Sequence, residues 1–168
     1  MREIEFRGKR KDNNEWVYGS LITRKRDGYK RTYIYDSSID ETEIDEYSED
    51  SKQSLKSLFT EVIPESVGQY IGLLDKNERR LFEGMIVQFG EWHADDEEIG
   101  NGEVKEVERF EGTIHEIIYC ADLDYPAFDL SPSVDRDCNA ISHGIASGEE
   151  AIKVIGNIFD NPELLSKK

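Results

Sequence analysis

Between Gln69 and Val87 the chain reads Gln-Tyr-Ile-Gly-Leu-Leu-Asp-Lys-Asn-Glu-Arg-Arg-Leu-Phe-Glu-Gly-Met-Ile-Val. Two short apolar runs flank a cluster of turn formers, and a Glu-Gly step opens a third run. That is the signature of strands joined by a tight turn. Gln69 to Leu73 is expected to be one strand and Met85 to Phe89 another. Asp75 to Glu78 forms the turn, where Asn77 can take a left-handed backbone at low cost.

The same grammar recurs along the chain. Ile4-Glu5-Phe6 alternates as an opening strand does, Lys11-Asp12-Asn13-Asn14 is a turn cluster, and Trp16 to Ile22 reads as the returning strand. Trp16 and Tyr18 are expected to pack against a core, with Leu21 a further candidate. Arg24 to Gly28 supplies a turn before Thr32-Tyr33-Ile34-Tyr35, a run of β-branched and aromatic residues. Leu55, Leu58, Phe59 and Val62 fall at helical spacing and predict a short amphipathic helix. It follows an acidic run too poor in apolar residues to repay its ordering entropy. Val104 to Cys120 is long enough for one bent strand or two, with Gly112 as the bend. Phe128-Asp129-Leu130 is a brief strand stopped by Ser131-Pro132. Asp135 to Gly148 reads as a loop with at most a helical turn, and Ile152 to Ile158 as a closing strand. Asn161 and Pro162 are suited to the cap and first position of a final short helix.

Short strands at regular intervals make the chain mainly β. The sequence of a strand, a bent partner and a return is what an SH3-like small barrel shows. The expected architecture is an SH3-like barrel with an N-terminal β-hairpin or meander and one or two short helices. It forms one unit over 1–168, with a subdivision into 1–61, the meander with its acidic and helical insertion, and 62–168, the barrel. At 168 residues the chain can bury roughly 70% of the surface its unfolded form exposes.

The formal charge is −16, and it is unevenly placed. Residues 1–31 hold ten Lys/Arg and five Asp/Glu; the rest holds eleven basic and thirty-two acidic residues. One acidic cluster runs from Asp36 to Asp50 with eight carboxylates and no base, a second from Glu91 to Glu111. Such a field repels phosphate backbones, so nucleic acid is not an expected partner for the surface as a whole. Residues 7–33 are the exception. There Arg7, Lys9, Arg10, Lys11, Arg24, Lys25, Arg26, Lys30 and Arg31 interleave with Trp16, Tyr18, Tyr29 and Tyr33, a composition suited to a single strand. An acidic surface can also imitate nucleic acid and occupy a basic cleft. A basic N-terminal part and an acidic remainder attract each other, either within one chain or head to tail between copies, and the second case predicts a homo-oligomer weakened by salt.

The residues offer little for catalysis. His93 lies near Asp95 and Asp96, and His115 and His143 stand alone, without metal-ligand spacing. Cys120 sits in the apolar run Ile117-Ile118-Tyr119, which suggests a buried, inert thiol; Cys138, near Arg136, Asp137 and His143, is the better thiol candidate. Asp122 and Asp124 share a face if that segment is a strand. Gly100-Asn101-Gly102 has acidic flanks, the wrong field for phosphate. No catalytic, cofactor-binding or metal residue is assigned, no cofactor is implied, and the protein is read as a non-enzyme. No apolar run reaches the ~20 residues of a membrane span, and the two cysteines form no disulfide framework, so a cytoplasmic protein is expected.

Three phrases carry a family resemblance: Phe6-Arg7-Gly8-Lys9 with Trp16-Val17-Tyr18-Gly19; Val67 to Leu73 with Asp75-Lys76-Asn77, Glu83-Gly84 and Ile86-Val87; and Val154 to Ile158 with Asn161-Pro162-Glu163-Leu164-Leu165. Together they resemble the YopX family, small proteins carried by bacteriophages and prophages. The resemblance implies a bacterial host and an SH3-type barrel, and it implies no particular activity. Glu78 stands where the family usually has glycine, implying a different turn geometry, and Met85 where it usually has aspartate, so a carboxylate there is not essential. The expected role is a non-catalytic protein-interaction or self-assembling module with an unidentified protein partner. The alternative is a nucleic-acid-linked one.

Overall fold

The computed structural model describes residues 3–26, 28–36, 58–98, 100, 103–120, 127–134, 139–148 and 150–166. The acidic run from residue 37 on, the helix expected from Leu55, residues 122 and 124, and Cys138 with its neighbours Arg136 and Asp137 lie outside them. The described residues are mainly β, in two antiparallel sheets. The chain divides into two compact units, Met1–Gly72 and Leu73–Lys168.

In the first unit the strands are β1 (Phe6–Lys9), β2 (Trp16–Arg26), β3 (Tyr29–Tyr35), β4 (Phe59–Glu61) and β5 (Gly68–Leu74), whose last two residues pass into the second unit. They lie in the order β4-β3-β2-β1-β5, with the short β6 (Arg80–Phe82) next in that sheet. Val17, Ile34 and Val62 form the core, and Phe6, Leu21 and Val67 pack against it. A Cβ on Gly8 would press on Val62 and Ile34 at 3.1–3.2 Å, so the absent side chain lets β1 settle onto this cluster.

Here the alternation runs in the opposite phase from the expected one. Val17 is buried, whereas Tyr18 is 44% exposed and Trp16 shares its outer side of β2. Trp16 stacks on Arg7, whose guanidinium carbon lies 4.3 Å from the ring centroid. The compact aliphatic residue fits the narrow space beneath the sheet, and the amphipathic rings take the wet side. The turn expected over Arg24 to Gly28 is also shorter than expected. β2 continues to Arg26 and β3 begins at Tyr29, paired as Arg26↔Tyr29. Gly28 has φ 80, a left-handed backbone that suits glycine at the tip of a hairpin. Phe59, expected at the end of a helix, begins β4 instead.

The second unit holds a four-stranded sheet of β7 (Met85–Glu98), β8 (Val104–Cys120), β9 (Ala127–Ser131) and β10 (Ala151–Asn157), in the order β10-β7-β8-β9. With β10 and β9 at its edges, it closes into no barrel among the described residues. Leu81, Phe82, Ile86, Val87, Phe89, Ile117, Leu130 and Ile152 are buried. Helix α1 (Ala140–Ser147) stands where a loop was expected. Asn139 caps it by accepting from the Ser142 N–H at 2.9 Å, and Gly148 ends it at φ 73. Ala140, Ile141 and Gly144 are buried, and a Cβ on Gly144 would lie 2.7 Å from the Phe89 ring. Packing on Phe89 therefore outweighs the low helix propensity of glycine.

The turn at 75–78 is built around Asp75, whose side chain is fully buried. Its Oδ1 accepts from the N–H groups of Asn77 and Arg79 at 2.7 and 2.9 Å, and its Oδ2 from Val154 N–H at 3.4 Å. The left-handed residue is Glu78, at φ 62, rather than Asn77. The turn thus keeps a glycine's geometry although its residue is glutamate, contrary to the difference expected there. Met85, in the family's aspartate position, places its sulfur 3.4 Å from the Phe82 N–H and occupies an acceptor's place. At the C-terminus, Asn157 accepts from the N–H groups of Phe159 and Asp160, both at 3.0 Å, before a 3₁₀ turn over Pro162–Ser166.

Candidate functional site

Both units send out a hairpin that leaves the core, and the two hairpins carry opposite charge. In the first, β2 and β3 continue past the core as Arg24-Lys25-Arg26 and Tyr29-Lys30-Arg31, with Arg24↔Arg31 and Lys25↔Lys30 directly opposite. Like charges facing across a ladder each cost a few tenths of a kcal/mol or more, up to about 1. Alternation divides this arm into two faces. Lys25, Lys30 and the buried Thr32 lie on the core side, and Arg24, Arg26, Arg31, Tyr29 and Tyr33 on the outer one.

Arg24, Arg26, Tyr29, Arg31 and Tyr33 line a shallow depression on that outer face. A second depression shares Arg24, Arg31 and Tyr33 and adds Ile22 and Phe59, so the surface is continuous. Tyr29 is 76% exposed and Phe59 42%. Phe59 packs on Tyr35 with ring centroids 5.4 Å apart. A hydrogen bond to Tyr33, with Tyr33 and Glu61 adding electrostatically, pushes the Arg31 guanidinium above its ordinary range, so it stays charged. Elsewhere in the unit, two bases pair with acids. Arg10 forks onto Asp12 at 2.8 and 2.9 Å, and Lys11 meets Glu61 at 2.7 Å. Among the described residues Arg24, Lys25 and Lys30 form no ion pair.

The acidic hairpin is the outer half of β7 and β8. Gly90 and Gly112 face each other across the ladder. A Cβ on Gly112 would lie 2.5 Å from the Phe89 carbonyl oxygen, and one on Gly90 would run into the backbone of Glu111. The strands leave the core at this glycine pair, and the pairing runs through it without a shift of register, so no bulge marks Gly112. Beyond it, Glu91 to Glu98 and Val104 to Glu111 form an exposed antiparallel arm; the second run belongs to the strand expected from Val104, whereas the strand expected to end at Phe89 continues to Glu98. Glu91↔Glu111 and Asp96↔Glu106 are like-charged pairs. Trp92 and Phe110 stack at the foot of the arm with centroids 5.0 Å apart, and the Lys76 ammonium sits 3.2 Å above the Trp92 ring.

The remaining candidates do not converge. His93 lies on this arm opposite Arg109, His143 on α1, and His115 in the core. His115 Nδ1 lies 2.6 Å from the Pro132 carbonyl, which can only accept, so that nitrogen carries a proton; its Nε2 faces the Thr113 hydroxyl. It is a hydrogen-bonded core residue. Cys120 is half-buried, and burial with nearby Asp129 pushes its thiol up, away from the reactive thiolate. Burial, with Glu83 nearby, raises the Glu116 carboxyl above its ordinary range. Among the described residues no group of three or more His, Cys, Asp or Glu could hold a metal ion, and no helix is long and apolar enough to cross a membrane.

The outward turn of Ile22 and Phe59, the extension of β2 and β3 past the core and the strand over Glu91 to Glu98 were not expected from the sequence, whereas the strand over Val104 to Cys120 was. Asp27-Gly28 between two basic runs was the signal for the first arm. Nothing comparable marked Glu91 to Glu98.

No protein of curated function matches this chain. Among solved structures it is similar to protein EF1440 from Enterococcus faecalis, at 20% identity over 98% of this chain and 99% of that one, with a TM-score of 0.44. The family model described as YopX protein matches residues 5–166, nearly the whole length, and spans both the hairpin of β1 with β2 and the closing Asn161-Pro162 phrase. The chain belongs to the YopX family.

Proposed function

We propose that this protein is a non-catalytic interaction module of the phage type, acting in the cytoplasm of a bacterial host, that assembles through its two charged arms. One observation carries the reading: each arm sets like charges opposite one another, Arg24↔Arg31 and Lys25↔Lys30 in one, Glu91↔Glu111 and Asp96↔Glu106 in the other. Each pair raises the free energy of the isolated chain, and a surface of opposite sign relieves it. A second copy carries that surface, so the basic arm of one copy meets the acidic arm of the next, head to tail. The order β10-β7-β8-β9 supports reading the second unit as an SH3-like sheet that stays open.

Sedimentation velocity at low and high salt tests this. Association is expected at about 50 mM salt and is lost by about 1 M, where the Debye length shrinks to about 3 Å. Arg24→Glu with Arg31→Glu, or Asp96→Lys with Glu106→Lys, should each abolish it, and mixing the two variants should restore it. A chain that is monomeric at low salt sinks the reading.

A further inference from the structure

We infer that the outer face of β2 and β3 is a binding site for single-stranded nucleic acid. This rests on the proposed role of the basic arm as a contact surface and goes beyond it in naming a ligand that charge alone does not call for. A carboxylate-bearing partner is recognised by Arg24 and Arg31 without requiring exposed rings beside them. Tyr29, Tyr33 and Phe59 share the face with those arginines, and Tyr29 is 76% exposed with its ring turned to solvent. Unpaired bases stack on such rings whatever their identity, while guanidinium groups neutralise the phosphates between them. A duplex offers its phosphates but keeps its base faces stacked inside, so it would use the arginines alone.

The net charge of −16 does not forbid this. At physiological salt a charge is screened beyond about 8 Å. Between Arg24 and Arg31 the described residues carry five bases and no acid; Asp27 lies outside them. The outer face also needs no rearrangement to be reached, since the core of this unit, at Val17, Ile34 and Val62, lies on the other side of the sheet.

The test is fluorescence anisotropy of a labelled oligothymidylate of about 15 nucleotides, within the length a stacking groove of this kind tracks, with the full chain. With the three arginines of the face contacting phosphate, log K should fall with log salt at a slope of about −2. That is roughly a twentyfold loss between about 50 and 200 mM salt. Tyr29→Ala should weaken binding at least about fivefold without changing the salt slope, because it removes stacking and no charge. Arg24→Gln with Arg31→Gln should weaken it more and flatten the slope. Lys25→Gln with Lys30→Gln removes the same charge from the opposite face and should do much less. Equal losses in the two charge variants, no effect of Tyr29→Ala, or equal binding of a duplex would each overturn the inference. Absence of binding in a chain that still associates in a salt-sensitive way overturns this inference and leaves the assembly reading standing. Binding by a chain that never associates does the reverse. Where both occur, excess oligothymidylate should disperse the assembly, since both ligands use Arg24 and Arg31.

Discussion

The two arms leave their cores differently and are built differently along their length. The acidic arm starts at Gly90, whose Cβ would collide with Glu111 across the ladder, whereas in β2 the corresponding glycine, Gly19 against the Tyr35 carbonyl, lies inside the core, before Leu21 and Ile34. Beyond the root, the acidic arm uses its aromatic residues on itself. Trp92 packs on Phe110, Lys76 covers the indole, and Arg109 lies 3.4 Å from Asp95. At the tip of the basic arm Tyr29 remains open to solvent. The contrast teaches that similar composition can serve opposite ends. Rings at the foot of the acidic arm hold a hairpin together, whereas Tyr29 at the tip of the basic arm packs on no other ring among the described residues.

The largest effect that can test this contrast is at the root. Gly90→Val should destabilise the fold by about 3 kcal/mol or more, because the obstacle is backbone and cannot rotate away. Gly28→Ala, at the other arm's tip, meets no atom within 4 Å and bears only its positive φ, about 1 kcal/mol. Thermal melts of the two variants should differ accordingly; equal shifts would mean that the acidic arm is not pinned at Gly90.

Next in size are the rings themselves. Trp92→Ala should cost about 2 kcal/mol through the lost ring pair and cation–π contact. Tyr29→Ala should stay within about 0.5 kcal/mol, as exposed substitutions do. Chemical denaturation that finds equal losses would erase the distinction between structural and available rings.

The smallest expected effect is a pH dependence confined to one side of the comparison. Burial and Glu83 hold the folded-state pKa of Glu116 above its unfolded value, so the ionised form opposes folding. The opposition is present at neutral pH and disappears as pH falls through the raised pKa. Glu116→Gln should therefore stabilise the protein at neutral pH, and its advantage should shrink toward the ordinary glutamate range. Arg31 stays charged throughout, so the effect of Arg31→Gln should not change over the same interval. A Glu116→Gln advantage that is flat with pH would refute the assignment.

Much of the local structure was legible in residues that specify backbone shape. The turn formers from Asp75 to Glu78 announced the turn that Asp75 anchors by accepting from the Asn77 and Arg79 N–H groups, and Ser131-Pro132 announced the end of β9. The candidate site was legible as composition, since the bases and rings of residues 7–33 were visible together. Its face was not. With Trp16, Val17 and Tyr18 in succession, alternation states that neighbours point apart but not which of them points inward. The basic arm and the outer half of β7 were missed for a related reason: ladder hydrogen bonds belong to the backbone, and a polar run on both faces leaves no periodicity to read.

The amino-acid sequence alone therefore determined a mainly β chain, several of the places where it turns, its family, and the segregation of its charge. Only the tertiary structure decided that Val17 rather than Tyr18 enters the core, that the basic run and Glu91 to Glu98 are paired strands, and that residues 140–147 form a helix. The physical reason is the same in all three. Turn chemistry acts within a few residues, whereas the buried phase of a strand, the pairing of a polar arm and a glycine-containing helix depend on what lies opposite, and that partner is distant in sequence: Ile34 for Val17, Tyr29 to Arg31 and Val104 to Glu111 for the arms, Phe89 for Gly144.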